Sequence, residues 1–261
     1  MPAGDRRRVI ARGVLGLVLL GAALELITRV GIVSLTSVPP ATSMLLAAAR
    51  LVVDPAFLAH VGATLAAWAG GLALATLIAV PAGIALGSSH RAYRASIAAV
   101  ELLRPIPSVA LVPLAILLLG RGLDMKVLLV AYASSWPLLL NTIYGVHAID
   151  PVAHETARVF GLRPATIRLR VSLPAASPSV LAGLRIAAPI ALIVDVSAEL
   201  IGGGQLGIGV WMLANSQAGV ARDLLLGGIV VTGVVGLALS GLLVVAEQRL
   251  VNWHHRTRLS S

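Results

Sequence analysis

Apolar residues run along this chain in blocks. Predominantly apolar stretches occupy Val14 to Val33, Val61 to Gly87, Ile106 to Gly120, Val127 to Val146, Val180 to Val196 and Leu224 to Val245. Half-buried strands would alternate, and a helix with one wet side would carry a single apolar stripe; blocks of about 20 residues mark helices that are apolar all round. Only a helix satisfies its own backbone in hydrocarbon without closing into a barrel, so the pattern predicts an all-α integral membrane protein with six transmembrane helices.

Two stretches depart from that rhythm. Ile106 to Gly120 is too short to cross unless its helix starts upstream near Ile97 and carries Glu101 and Arg104 through the headgroup layer, and Pro105, Pro107 and Pro113 make it irregular. Met44 to His60 mixes apolar residues with Arg50 and Asp54 and reads as a helix lying on the membrane surface. The first block follows Arg6, Arg7, Arg8 and Arg12, as the core of a signal peptide would. No small-residue cleavage pattern comes before Pro39-Pro40, however, so a retained anchor is expected. The expected layout is an N-terminal anchor span and surface helix over 1–57, a transmembrane core over 58–250 and a tail over 251–261.

Composition supports the bilayer and changes the meaning of the charge. Of 261 residues, 58% are hydrophobic and 12% charged, where a soluble domain has about a quarter charged. A net charge of +9 on a soluble chain would suggest nucleic acid, but here the arginines follow the loops. With the N-terminus inside, fifteen of the 20 basic residues fall on the cytoplasmic side, and Arg29, Arg50, Arg121, Lys126 and Arg222 fall outside. That bias places both termini in the cytoplasm. Topogenic signal and contact with anionic lipid explain the basic balance, so no nucleic-acid partner is expected.

Catalytic chemistry has little to stand on. The absence of cysteine removes disulfides, thiolate metal sites and cysteine nucleophiles together. His154-Glu155 lacks the second histidine of H-E-x-x-H, and the adjacent His254-His255 diverge on a helix. No G-x-x-x-x-G-K-[ST] loop occurs, and Gly202-Gly203-Gly204 lacks the strand-to-helix setting of a phosphate loop. The expectation is a chain that binds no metal or cofactor and catalyses nothing by itself.

The loop 147–177 is the most specific part of the sequence. Asp150-Pro151 is an N-cap followed by proline at the first helical position, and Gly161 stands where a helix C-terminus takes a left-handed residue. Glu155 and Arg158 lie one turn apart on this short helix. Ala157 leaves its surface low enough for another protein to approach the backbone. The chain restarts at Pro164 with Arg168 and Arg170 and meets Leu173-Pro174 just before the fifth span. A helix pair lying across the inner face has the shape of a docking element.

Glu155-Thr156-Ala157, three residues, Gly161, nine residues, Val171, one residue, Leu173-Pro174 resembles the EAA loop of binding-protein-dependent ABC importer permeases, with Thr156 and Val171 as mild departures. Arg104-Pro105-Ile106-Pro107, Leu111-Val112-Pro113-Leu114, Gly120, Asn141-Thr142, Gly145, Gly183-Leu184-Arg185, Ala198-Glu199, Gly207, Gly209 and Trp253 resemble the sulfonate, taurine and nitrate branch of that family. The resemblance runs from about Leu58 to Trp253. It implies the type I importer permease fold, in a bacterial inner membrane, with Glu155, Ala157, Arg158, Gly161, Leu173 and Pro174 coupling to a separate ATPase that carries the ATP and Mg. It also implies a second permease copy, an extracytoplasmic solute-binding protein and a small anionic solute. An ATPase-independent carrier or channel would share the hydropathy, but no convincing inverted repeat is present.

The remaining polar positions keep two readings each. Glu25 and Arg29 are either a self-satisfying pair near the interface or a substrate contact. Asp195 and Glu199 end the fifth span at its outer mouth, where they meet the binding protein, order a gate, or are simply solvated. Ser134, Ser135, Asn141, Thr142 and Tyr144 face the pathway or bond to their own backbone. Gly83 with Gly87, and Gly233 with Gly236, fit close helix packing.

Overall fold

The computed structural model describes residues 3–31, 38–218 and 222–257, and among these every regular element is a helix. The elements are α1 (Ala3–Arg29), α2 (Ala41–Leu51), α3 (Pro55–Gly87), α4 (His90–Leu103), α5 (Val112–Leu119), α6 (Leu123–His147), α7 (Pro151–Val159), α8 (Pro164–Ile167), α9 (Leu173–Gly202), α10 (Ile208–Gln217) and α11 (Arg222–Thr257). A 3-10 turn at Ser108–Leu111 leads into α5, and a π turn at Arg168–Ser172 joins α8 to α9.

Among the described residues, five stretches are long and apolar enough to cross a membrane: Ala11–Arg29, Pro55–Gly87, Leu123–His147, Pro164–Gly202 and Arg222–Arg249. Where the remaining span was expected, two helical segments, His90–Leu103 and Ser108–Leu119, meet at 76°. Pro105 and Pro107 remove two of the amide donors that would prolong α4, and the helix resumes with Pro113 in the first turn of α5, where the missing donor is harmless. The expected end of the first span at Val33 lies outside the described residues.

Two expectations need correction. Met44 to His60 is not one helix. It divides after α2, and Asp54 Oδ1 accepts the Ala56 amide at 3.0 Å where α3 begins. Leu173-Pro174 do not stand before the fifth span but inside a helical run from Pro164 to Gly202. Pro174 cannot donate to the Arg170 carbonyl, and the widened π turn accommodates its ring.

The chain forms two compact units, Met1–Leu58 with Trp211–Val234, and Ala59–Val210 with Val235–Ser261. In the first, Arg29 Nε donates to Glu25 Oε1 at 2.7 Å, and Glu25 also accepts the Thr42 amide and hydroxyl, each at 3.0 Å. The self-satisfying reading of this pair holds, and the same carboxylate fastens the start of α2 to α1. Elsewhere in this unit, Phe57 meets Trp211 edge to face at 4.8 Å, and Gly227 lies so close to Ala47 that a Cβ there would come within 2.8 Å.

The second unit is built on α3, α6 and α9. Leu72, Ala75 and Ala79 of α3, Val130, Leu138 and Ile143 of α6, and Ala187 and Ala191 of α9 share its main core. Small residues set the spacing, because in hydrocarbon helices associate through close packing rather than the hydrophobic effect. A Cβ on Gly83 would stand 2.6 Å from Thr142 Cβ, and one on Gly87 2.8 Å from Val146 Cβ. On the other side of α6, Gly145 lies against Ser179, and Gly183 against Asn141. α5 caps this trio through Val112 and Ala115, packed on Met125, Leu129, Val194 and Ala198.

Candidate functional site

α9 has 30 residues, about 45 Å at 1.5 Å per residue, and the two candidate regions lie at its opposite ends. At the N-terminal end is the elbow of α7, α8 and the π turn. Asp150 caps α7 by accepting the Val152 amide at 2.9 Å, with Pro151 in the first turn. Gly161, at φ +72°, closes the helix: its amide donates to Arg158 O at 2.9 Å, and the Leu162 amide reaches Ala157 O at 3.1 Å. This pair of bonds is the Schellman arrangement that the glycine predicted.

The elbow divides the expected coupling residues. Glu155, Arg158 and Gly161 are exposed, whereas Ala157 is buried within the chain, and Leu173 and Pro174 are half-buried. Glu155 and Arg158 form no ion pair. Burial of Ala157 turns the opposite face of α7 outward, where Val152, Glu155, Thr156 and Val159 follow the i, i+3, i+4, i+7 spacing of one helix face. Val159 is 86% exposed, and Phe160, just beyond, is 79% exposed. Sequence reasoning assigned the approach surface to Ala157 and missed these apolar side chains. A nine-residue helix carries too few turns to tell an inward from an outward stripe.

At the other end of α9, Lys126 of α6 and Glu199 of α9 are buried together. Lys126 Nζ donates to Glu199 Oε1 at 2.8 Å and to Leu206 O at 3.2 Å. Thr64 Oγ1 of α3 lies 2.9 Å from Glu199 Oε1, and the Gly209 amide donates to Oε2 at 2.8 Å. Thr64 Oγ1 also accepts the Ile208 amide at 2.9 Å, and His60 Nδ1 accepts the Gly207 amide at 3.1 Å. One carboxylate thus ties α3, α6 and α9 to the turn that follows α9. A Cβ on Gly207 would collide with that carboxylate, and one on Gly209 would stand 2.8 Å from Glu199 Cβ.

Of the readings offered for Asp195 and Glu199, simple solvation at a helix end does not hold, since both are fully buried. Neither oxygen of Asp195 has a hydrogen-bond partner among the described residues. The residues missed here are Lys126, Thr64 and His60. Lys126 was counted only as an outer loop charge. The available signal was a lysine and a glutamate at the same ends of two neighbouring spans, since intramembrane charges pair.

Three of the other pathway candidates bond to their own helix backbone. Thr142 Oγ1 donates to Leu138 O at 2.7 Å, Ser135 Oγ to Ala131 O at 2.7 Å, and Asn141 Nδ2 to Pro137 O at 2.8 Å. Ser134 is fully buried with its hydroxyl unpartnered among the described residues, and Tyr144 is 60% exposed. A cavity of about 350 Å³ opens beside Lys126, lined also by Arg121, Gly203, Gly204, Gln205 and Leu206.

The family described as binding-protein-dependent transport system inner membrane component matches residues 75–253. A Bacillus subtilis strain 168 protein, SsuC, named for aliphatic sulfonates transport, is 28% identical over 252 residues, which are 97% of this chain and 91% of that protein. The taurine transport system permease TauC of Escherichia coli K12 is 32% identical over 195 residues, 75% of this chain and 70% of its own. The bicarbonate transport system permease CmpB of Synechococcus elongatus is 29% identical over 194 residues, 74% and 66% of the two chains. In fold, the chain is similar to a solved chain of the MetNI methionine ABC transporter in an inward facing conformation. The TM-score is 0.62 at 20% identity, covering 80% of this chain and 96% of that one.

Proposed function

The chain belongs to the family of binding-protein-dependent transport system inner membrane components, and from that membership we propose that it is the permease of an ATP-driven importer for a small anion such as an aliphatic sulfonate, taurine, nitrate or bicarbonate. It is a multi-pass transport subunit, and ATP hydrolysis belongs to a separate chain. The elbow carries the coupling role. Its outward face combines Glu155 with the exposed side chains of Val152, Val159 and Phe160, a surface of the mixed character that a protein partner desolvates.

In this reading ATP draws two ATPase subunits together, and their motion enters at α7. The stiff helical run from Pro164 to Gly202 carries it across the membrane, and a pair of permeases switches the side to which its cavity opens. A solute-binding protein delivers the anion at the far end, where Arg121 lines the cavity and favours negative charge. The relatives named for sulfonates, taurine and bicarbonate support the solute class.

The test is purification of the tagged protein from its host in mild detergent, with mass spectrometry of what accompanies it. A stoichiometric ATPase is expected, and recovery of a folded chain alone that transports without ATP would overturn the reading. Glu155→Arg is expected to leave the protein in the membrane and abolish ATP-dependent uptake, and normal uptake would remove this helix from the coupling path.

A further inference from the structure

Behind the α7 elbow is a second cavity of about 120 Å³, lined by Ser88, Arg158, Leu162, Pro164, Ile167, Arg168 and Ser172. Its charged walls carry one sign only. Arg158 comes from the last turn of α7 and Arg168 from the start of the π turn, and no carboxylate among the described residues pairs with either guanidinium. Two hydroxyl residues, Ser88 and Ser172, complete the polar wall, while Leu162, Pro164 and Ile167 supply an apolar one. Arginine presents a planar fork of donors matched to phosphate oxygens, and a concave site with two such forks and no acid selects an anion.

Position narrows the chemistry further. Ser88 directly follows the long apolar helix α3, and Ser172 lies in the π turn that leads into α9, within the arginine-rich stretch that begins at Arg158 and includes Arg170, which places the cavity at the depth of lipid headgroups. The volume equals about four waters at roughly 30 Å³ each, room for one tetrahedral anion. We propose that the cavity lined by Arg158, Arg168, Ser88 and Ser172 is a phosphate-group site, filled by the headgroup of an anionic lipid or by free phosphate. The bound phosphate bridges α7 to the beginning of α9 and braces the elbow from behind.

The site stands apart from the importer reading, because its test measures binding by the full-length permease and needs no ATPase. Native mass spectrometry of the detergent-solubilised protein, titrated with phosphatidylglycerol, is compared with calorimetric titration of inorganic phosphate in lipid-free detergent. Either ligand is expected to bind, with affinity falling tenfold or more in the double variant R158Q/R168Q. Retention of phosphatidylglycerol assigns the site to lipid, and a response to inorganic phosphate alone assigns it to the free ion. The variant R163Q/R170Q removes the same charge from residues that do not line the cavity and is expected to bind as the parent does; an equal loss there would overturn the site. Binding of neither ligand, or binding untouched by R158Q/R168Q, would also overturn it. Unfolding temperatures of both variants, expected within a few degrees of the parent, separate loss of the site from loss of the fold.

Discussion

Lys126 Nζ and Glu199 Oε1 are 2.8 Å apart with side-chain exposures of 6% and 0%, and they join α6 to α9 at the end remote from the elbow. Removing one member leaves the other charge buried without its counterion, which typically destabilises by about 3–5 kcal/mol. Glu199→Gln or Lys126→Met is therefore expected to lower the unfolding temperature in detergent sharply. The double variant K126M/E199Q removes both charges, keeps an acceptor for the Gly209 amide, and should recover much of the loss. If the double variant were as unstable as the sum of the singles, the pair would not be a coupled unit.

Asp195 sits one turn before Glu199 with both oxygens lacking a partner among the described residues. A buried carboxylate without hydrogen bonds is a destabilising group, and a neutral amide of the same shape is easier to bury. Asp195→Asn is expected to raise the unfolding temperature. A lowered temperature would mean that the carboxylate holds an interaction in the folded protein. A variant that is more stable yet transports poorly would place Asp195 among residues kept for function.

These two carboxylates mark the limit of what the sequence made legible. The blocks of apolar residues told where helices cross, because hydropathy depends on composition alone. Asp150-Pro151 and Gly161 told where α7 starts and stops, because capping is local in sequence. The pairing of Lys126 with Glu199 was hidden, since it joins residues 73 apart whose adjacency exists only after α6 and α9 pack. Ala157 failed for a related reason: the loop pattern marks which residues belong to the elbow, but the docking of α7 on α8 decides which face turns inward. The break in the third span was half visible in Pro105 and Pro107, which foretell an interruption but not a 76° bend.

Glycines divide into those the packing requires and those it does not. A Cβ on Gly71 would collide with Val130, whereas nothing approaches Gly241 within 4 Å. Gly71→Ala is expected to lower stability by about 1–3 kcal/mol through overpacking. Gly241→Ala should be neutral or stabilising, since alanine is the better helix former by roughly 1 kcal/mol. Thermal unfolding of the two variants checks the contrast, and equal effects would contradict the α3–α6 packing. Gly233 resembles Gly241 in its open surroundings, whereas a Cβ on Gly236 would stand 3.2 Å from Leu192 Cδ2.

The orientation of the elbow follows from charge and can be tested directly. Gly161 and Gly204 flank the helical run Pro164–Gly202, whose last 30 residues alone span about 45 Å, more than the roughly 30 Å of hydrocarbon. Arg158, Arg163, Arg168 and Arg170 crowd the Gly161 side, and basic loops stay in the cytoplasm. A reporter that fluoresces only in the cytoplasm should be active when fused at Gly161 and silent when fused at Gly204, with a periplasmic enzyme reporter giving the reverse. Activity of one reporter at both sites would mean that Pro164–Gly202 does not cross. Reversed activities would put the arginines outside, and α7 could then no longer face an ATPase.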